Sequence, residues 1–225
     1  MKVRSIDELE EIIAQDFSWR RKELTNLKNL CLSSKNQIKN TLLKSGVVIL
    51  YSHWEGFVKK SSIAFCEYIN GKGIPYNQLI CNFHVCAILE YFQGQYPHKN
   101  FKAALSLVDG SGIQLSNKCS INSEKYIDTK SNLNSEVLKE ITMKIGIDYS
   151  LYETKENLID QRFLGFRNAV SHGEYRDIEE SDFLELFGEI TTLIEIYKNQ
   201  ILNSAIQESY LKIHNSSTLS SPEIK

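Results

Sequence analysis

An arginine and a histidine stand five residues apart in the stretch from Leu164 to Gly173, which reads Leu-Gly-Phe-Arg-Asn-Ala-Val-Ser-His-Gly. The Arg167 guanidinium is always charged and offers a planar fork of donors that suits phosphate oxygens. A histidine imidazole can accept or donate a proton near neutral pH, and His172 supplies one. A group that moves protons, beside a group that stabilises a crowded phosphate, could cleave a phosphodiester without a metal ion.

Asn168 lies four residues before His172, so on a helix the two side chains share a face and the amide could orient the imidazole. Arg167 and His172 lie about 140° apart on an ideal helix, which is poor geometry for a single face. A loosening of the helix at Gly173 would ease this mismatch, because glycine is a favoured helix stop. The spacing alone also fits a solvated arginine and a histidine near a helix C-terminus, where a cation suits the helix dipole.

The run Arg167–Gly173 resembles the Arg-polar-x3-His motif of the HEPN superfamily (higher eukaryotes and prokaryotes nucleotide-binding). Three further segments resemble prokaryotic standalone HEPN-like nucleases related to the RiboL-PSP-HEPN domains. They are residues Asp16–Leu24, Leu50–Lys59 and Ser131–Leu138. Four segments in family order are far more specific than one short motif. The stretch from Tyr91 to Lys130 shows no recognised resemblance.

The resemblance implies an all-α HEPN fold and a metal-independent endoribonuclease, of the kind used as a toxin or antiviral effector in prokaryotic conflict systems. In that mechanism the 2′-OH of the RNA attacks the adjacent phosphorus, so DNA would not be a substrate. His172 would act as a general acid or base, Arg167 would hold the phosphate, and Asn168 would orient or assist.

The resemblance also implies partners. The family usually brings two motifs together in a symmetric homodimer, and an antitoxin or another regulatory protein is a further expected partner. The alternative is a non-catalytic HEPN module that binds RNA, a nucleotide or a partner protein.

Four more residues are candidates for substrate binding. Arg162 precedes the motif by five residues and could add a second phosphate contact. His53 lies off the apolar stripe of its helix, and Glu55 follows in the same matched segment, although an ordinary ion pair with Lys59 would also explain Glu55. Arg20 belongs to a basic stretch of the first helix, for which a solvated helix face is preferred over an RNA-binding patch.

The composition predicts a soluble, cytoplasmic protein with a sizeable core. Hydrophobic residues make up 42% and aromatic residues 10% of the chain, which is enough to bury such a core. The formal net charge of -2 argues against a protein that coats nucleic acid non-specifically, so any RNA contact must come from a local patch. No apolar run is long enough to span a membrane, and no signal-peptide core is present, so no membrane partner is expected.

Neither a metal ion nor a cofactor is expected. The five cysteines are irregularly spaced and form no Cys-x2-Cys pair, so they do not indicate a disulfide framework. Cys81, His84 and Cys86 could be metal ligands by type, but they fall in an apolar run with no fourth ligand nearby. Burial as small hydrophobic side chains explains these thiols better. No Gly-rich phosphate loop follows a strand, which argues against an NTPase.

Amphipathic helices must position the motif. The 3.6-residue spacing of apolar side chains predicts five main helices, over residues 6–32, 35–68, 77–92, 153–172 and 182–213. The second helix places Trp54 in the core, and the third is apolar nearly all round and is expected at the centre. Asn134 caps a further short helix that Gly146 ends. The prediction is an all-α, HEPN-like bundle of four to five main helices.

One domain is predicted over residues 1–213, with a long irregular insertion at about 93–131 that includes a short helix at 101–108. A loop of this length in a compact domain is usually functional or disordered. Its lysines make it a candidate RNA clamp, although solubility is a sufficient explanation for them. Residues 214–225 are polar and are predicted to form a disordered tail.

Overall fold

The computed structural model describes residues 2–91, 105 and 115–212. Their regular structure is helical throughout, apart from two isolated β-bridges, so the predicted all-α fold is confirmed. The helices are α1 (Ile6–Ser33), α2 (Asn36–Lys72), α3 (Cys81–Tyr91), α4 (Ser123–Tyr126), α5 (Ser135–Ile145), α6 (Ser150–Glu153), α7 (Gly165–Ser171) and α8 (Glu180–Ile206). A 3₁₀ turn at Tyr76–Gln78 and a π-helix at Leu158–Leu164 complete the described elements. None of the described helices has the length and apolar character that a membrane crossing needs.

The long helices α1, α2 and α8 pack against one another and form the body of the bundle. Trp54 of α2 and Tyr197 of α8 are completely buried between them, with ring centroids 6.5 Å apart. The predicted core position of Trp54 is therefore confirmed. Ser5 caps the N-terminus of α1, since its hydroxyl accepts a hydrogen bond from the Glu8 N–H at 3.2 Å.

Helix α2 continues four residues beyond its predicted end at Tyr68 and stops at Lys72. Gly73 follows in the left-handed conformation, with φ 62°, and its N–H donates to the Asn70 carbonyl. The extension depends on Gly71, where a β-carbon would overlap the Val3 carbonyl oxygen. Gly71 therefore lets the N-terminal chain pass close to the helix.

Helix α3 lies at the edge of the bundle, and the prediction of a central helix is wrong. It packs against α5 and the 3₁₀ turn, burying Phe83 and Cys86, whereas Val85 and Leu89 are 47% and 55% exposed. Cys81 is also exposed, so only Cys86 of this run follows the expectation of buried thiols. A helix with apolar residues on every side need not be buried on every side, because its sequence does not show which sides have neighbouring helices.

Residues 115–131 of the predicted insertion pack onto α2 and include α4. Ile121 and Ile127 are buried, and the Asn70 side chain both accepts from the Ile121 N–H at 2.8 Å and donates to its carbonyl at 2.9 Å. Such one-off contacts have no periodic signal in the sequence. The helix predicted at 101–108, apart from Leu105, and the tail predicted at 214–225 lie outside the described residues.

Helix α8 ends at Ile206, seven residues before its predicted end. The chain turns at Glu208, with φ 53°, and then brings Tyr210 back into the core against the rings of Phe65 and Tyr68, at 6.2 Å and 6.1 Å. The apolar residues beyond Ile206 therefore reach the core through a turn and not through a longer helix.

Candidate functional site

The π-helix Leu158–Leu164 delivers the chain directly into α7, which carries Arg167 and Asn168. Its wider turns are visible in the bond from the Gly165 N–H to the Asp160 carbonyl, five residues back. π-helical turns are rare in proteins, and many of those that occur lie at functional sites. The prediction of a regular α-helix through this region is wrong. A π-helix has about one residue more per turn than an α-helix, and over the seven residues Leu158–Leu164 this leaves the spacing of apolar residues nearly unchanged.

Helix α7 ends where the sequence predicted. His172 is the C-terminal cap, with φ -90° and ψ 3°, and its N–H still donates to the Asn168 carbonyl at 2.9 Å. Gly173 adopts the left-handed conformation, with φ 75°, and the next N–H, of Glu174, donates to the Ala169 carbonyl at 2.9 Å. This closure leaves the His172 side chain exposed at the tip of the helix.

Arg167 is half-buried and packed against α2. Its guanidinium carbon lies 4.0 Å from the centre of the Tyr51 ring, within the range of a cation–π interaction. Its Nη2 donates to the Ser131 carbonyl and to the Asn132 side-chain oxygen, each at 3.2 Å. Its Nε is buried and has no hydrogen-bond partner among the described residues. The guanidinium is therefore fixed in position without all of its donors being used.

Tyr51 is itself held in place. Its hydroxyl accepts a hydrogen bond from the Leu133 N–H at 2.5 Å, and its ring lies 5.4 Å from that of Phe163. Burial raises the pKa of Tyr51 to about 12, and the hydrogen bond with Arg167 opposes that rise. The phenol is therefore neutral near pH 7 and supports Arg167 as a ring and a dipole. Neither Tyr51 nor Asn132 was predicted as a site residue, although both fall in segments that resemble the family.

No hydrogen bond joins the side chains of Asn168 and His172 in the described structure. Neither side chain makes a hydrogen bond to any residue that the structure describes, and Asn168 is half-buried while His172 is exposed. The predicted orientation of the imidazole by Asn168 is therefore absent from the single chain. The structure directs Arg167 towards α2 and leaves His172 open to solvent at the end of the same helix.

Glu55 lies one turn after Tyr51 on α2, and its carboxylate accepts a hydrogen bond from the Thr129 hydroxyl at 2.6 Å. The ion pair with Lys59 that the sequence suggested is not formed in the described structure. Because Glu55 and Tyr51 share a face of α2, Glu55 is near the Arg167 side of the helix. Burial has the largest effect on the pKa of Tyr51, and the hydrogen bond with Arg167, which lowers it, comes second. The Glu55 charge has a smaller effect and raises that pKa.

Arg162 forms a two-pronged ion pair with Glu185 of α8, with distances of 2.6 Å and 2.9 Å. The hydrogen bond from Arg162 lowers the pKa of the Glu185 carboxyl. The pair is largely exposed, so its contribution to stability is small. A phosphate contact by Arg162, as considered from the sequence, would have to displace Glu185.

Arg20 and His53 lie in the seam between α1 and α2, and the expectation that Arg20 lies on a solvated face is wrong. Arg20 is 8% exposed and His53 is 5% exposed. The Arg20 Nε donates to the Asp16 carboxylate at 2.7 Å, while Nη1 donates to the His53 carbonyl at 3.3 Å. The His53 Nε2 lies 3.2 Å from the Glu23 carboxylate. Gly56 makes room, since a β-carbon there would lie 2.9 Å from the Arg20 Nη1.

This buried cluster perturbs its own ionisations. Burial and then the charge of Arg20 lower the pKa of His53. Burial alone would raise the pKa of Asp16, but hydrogen bonds from Arg20 and Lys60 outweigh it and lower that pKa. Asp16 and Lys60 were missed from the sequence, where only the i,i+4 spacing of Asp16 and Arg20 signals a pair. These contacts explain Arg20 and His53 as structural residues that join α1 to α2.

The loop after the motif is anchored to α2 through Asp177. The carboxylate accepts from the Tyr175 hydroxyl at 2.6 Å and from the Asn40 amide at 2.9 Å, and it lies 3.0 Å from the Lys44 ammonium. These partners, Tyr175 first, lower the pKa of Asp177 to about 2. Sequence reasoning did not select these residues, because more than 130 positions separate the loop from Asn40.

Among the described residues, no group of three or more His, Cys, Asp and Glu side chains has a geometry that could hold a metal ion. The motif helix and its C-terminal cap carry an imidazole, a guanidinium and a carboxamide. Those groups can move protons, hold an anion and donate hydrogen bonds.

One family model matches this chain, that of RiboL-PSP-HEPN, over residues 15–203. The matched range includes all of α7 and His172, together with the contacts that α1 and α2 supply. Comparison with curated proteins and with solved structures gave no match.

Proposed function

The chain belongs to the RiboL-PSP-HEPN family of the HEPN superfamily, and from this premise we propose that it is a metal-independent endoribonuclease that uses His172 and Arg167. HEPN families often contain ribonucleases. The observation that carries the proposal is that one short helix and its cap carry both an exposed imidazole, His172, and a guanidinium held against Tyr51, Arg167.

His172 has the exposure that a proton-transfer group needs. The left-handed turn at Gly173 leads the chain away from the imidazole, and no described side chain makes a hydrogen bond to it. As a base it would remove the proton of the ribose 2′-OH while that oxygen attacks phosphorus. As an acid it would protonate the departing 5′-oxygen. The products of that transfer are a 2′,3′-cyclic phosphate and a 5′-hydroxyl, with no water consumed.

Arg167 has the placement that an anion-stabilising group needs. Its Nη2 donates to the Ser131 carbonyl and to the Asn132 side chain, while its buried Nε has no hydrogen-bond partner among the described residues. A donor held in place before the substrate arrives stabilises the phosphate charge without paying for reorganisation. Asn168, half-buried and without a side-chain partner in the described residues, is positioned on the same helix to assist.

We further propose that the protein acts as a two-fold homodimer. In the single chain Arg167 faces Tyr51, whereas His172 is exposed at the helix tip, so the two groups are not brought together. A symmetric partner would place the His172 of one chain near the Arg167 of the other. A role as a toxin or antiviral effector, regulated by an antitoxin or another protein, is the biological context that the family resemblance supports.

The rival proposal is a non-catalytic HEPN module that binds RNA, a nucleotide or a protein. One observation favours it: Arg167 already donates hydrogen bonds to Ser131 and Asn132, as an arginine with a purely structural role would. This module would retain RNA binding without cleavage, so a cleavage assay separates the two proposals.

The test is incubation of the purified protein with end-labelled single-stranded RNA in the presence of EDTA. We expect cleavage that leaves a 2′,3′-cyclic phosphate and a 5′-hydroxyl. A matched oligonucleotide with 2′-deoxyribose throughout serves as the control and should stay intact, because it lacks the attacking hydroxyl. Activity that disappears with EDTA and returns with Mg²⁺ would contradict the mechanism, and binding without cleavage would favour the rival.

A further inference from the structure

Tyr175 lies three residues beyond His172 and is 85% exposed, more than any other large hydrophobic residue among those described. A single exposed apolar side chain is ordinary on a protein surface. This one differs because it is exposed and also held in place. Its ring gains little from burial, so the packing of the fold does not account for its position.

Two contacts hold the Tyr175 ring. Its hydroxyl donates to the Asp177 carboxylate at 2.6 Å, and the Lys44 ammonium lies 4.7 Å from the ring centre. Asp177 is in turn bound to α2 by Asn40 and Lys44. The loop is therefore bound to the longest helix of the described chain. Because the ring is already held in place, binding of a ligand to it would cost little additional side-chain entropy.

Tyr175 directly follows the turn that ends α7, so its ring comes shortly after the motif in the chain. The bond from the Glu174 N–H to the Ala169 carbonyl closes the helix, and Tyr175 follows directly. Arg176 packs its guanidinium 5.3 Å from the Phe166 ring, which fixes the loop on its other side. Because Tyr175 is 85% exposed with Lys44 near one face of its ring, the other face is open to solvent.

We propose that Tyr175 is a stacking platform for a base of single-stranded RNA adjacent to the cleaved bond, an inference that rests on the ribonuclease function proposed above. Aromatic rings stack on any base, so the platform selects unstacked strands and not a sequence. Bases in an RNA duplex are already stacked, which makes the substrate class single-stranded loops and ends. The neighbouring ammonium of Lys44 adds positive charge beside the bound strand.

Kinetics with three variants test the platform. Tyr175→Leu removes the ring, Tyr175→Phe keeps the ring and removes the bond to Asp177, and Ile206→Ala alters a 56% exposed residue at the far end of α8. On single-stranded RNA we expect kcat/KM to fall roughly 5- to 140-fold in Tyr175→Leu, the range that base stacking on aromatic residues spans. Tyr175→Phe should recover most of the loss, and Ile206→Ala should match wild type.

A binding assay makes the platform independent of turnover. The probes are a set of 2′-O-methyl single strands, which lack the attacking hydroxyl, each with 2-aminopurine at a different internal position. The fluorescence of at least one probe should be quenched by wild type and Tyr175→Phe but not by Tyr175→Leu. If wild type does not cleave RNA but quenches through Tyr175, the ribonuclease proposal fails and the base contact stands.

Two results would overturn the platform. One is equal kcat/KM and equal quenching in wild type and Tyr175→Leu while wild type cleaves RNA, which would leave the ribonuclease proposal intact. The other is a loss of self-association in Tyr175→Leu by sedimentation, with normal quenching per bound strand. That outcome would assign Tyr175 to a contact between two copies of the chain.

Discussion

The Arg167 guanidinium carbon lies 4.0 Å from the centre of the Tyr51 ring, so a cation of the motif helix rests on an aromatic face of α2. The same guanidinium donates to Ser131 and Asn132. Three of the four segments that resemble the family therefore meet at one side chain. The fourth segment meets α2 through the contact between Arg20 and His53.

The first prediction concerns Tyr51. Tyr51→Leu removes the ring under Arg167 and should lower kcat about 2- to 30-fold, the range of a cation–π contact, with a smaller change in KM. Tyr51→Phe keeps the ring and should retain most activity, but it leaves the buried Leu133 N–H unpaired and should cost about 1–3 kcal/mol of stability. Steady-state kinetics and urea unfolding measure the two effects separately. Equal kcat in wild type and Tyr51→Leu would show that the ring does not position Arg167.

A second prediction tests the core assignment of Trp54, which is fully buried. Trp54→Ala should lower the free energy of unfolding by roughly 3–5 kcal/mol, because it removes a large side chain and leaves a cavity. Trp19→Ala is the matched control, since Trp19 is 46% exposed and should cost much less. Equal losses in the two variants, measured by urea denaturation, would contradict the position of Trp54 between α2 and α8.

The third prediction is a pH dependence that originates at His53. Burial and the Arg20 charge lower its pKa from the ordinary 6.5, so the unfolded chain binds a proton at this position more readily than the folded protein. The His53 contribution to stability should therefore be complete above about pH 6.5 and be lost as the pH falls towards the folded-state pKa. The NMR titration of the His53 ring should have its midpoint below 6.5. A midpoint above 6.5 would mean that Glu23 outweighs burial and Arg20.

The fourth prediction tests the dimer by complementation. Arg167→Ala and His172→Ala should each be inactive alone. Heterodimers formed by unfolding and refolding the two together should contain one complete site if each site takes Arg167 from one chain and His172 from the other. Random pairing should restore about one quarter of wild-type activity. No recovery, although mass spectrometry shows the heterodimer, would place both groups of a site in the same chain.

The main helices could be predicted from the sequence because α1, α2 and α8 each bury one long stripe against the others, which is the condition that produces a 3.6-residue pattern. The stop at Gly173 was also predictable, since glycine accepts the left-handed conformation that ends α7. The pattern failed for α3, where Val85 and Leu89 are apolar but uncovered. Tertiary neighbours decide burial, and a single helix does not encode them.

The motif residues could be selected from the sequence, but their surroundings could not. Arg20 and His53 are 33 positions apart, and their contact requires the packing of α1 on α2 before either role can be seen. Arg167 likewise meets Asn132, which is 35 positions earlier in the chain. Residue type identifies a possible acid, base or anion ligand, whereas burial and partners decide whether the group is available for chemistry.

The central claim is that His172 moves protons during RNA cleavage, and the rate constant for cleavage by His172→Ala tests it most directly. We expect cleavage in EDTA to slow by about 10²- to 10⁴-fold, the usual contribution of general acid–base catalysis. Because His172 is exposed, its unfolding free energy should stay within about 0.5 kcal/mol of wild type. His84→Gln, which replaces a histidine outside the motif, serves as the control and should cleave as wild type does. A folded His172→Ala protein that cuts the same RNA at the wild-type rate would contradict the claim.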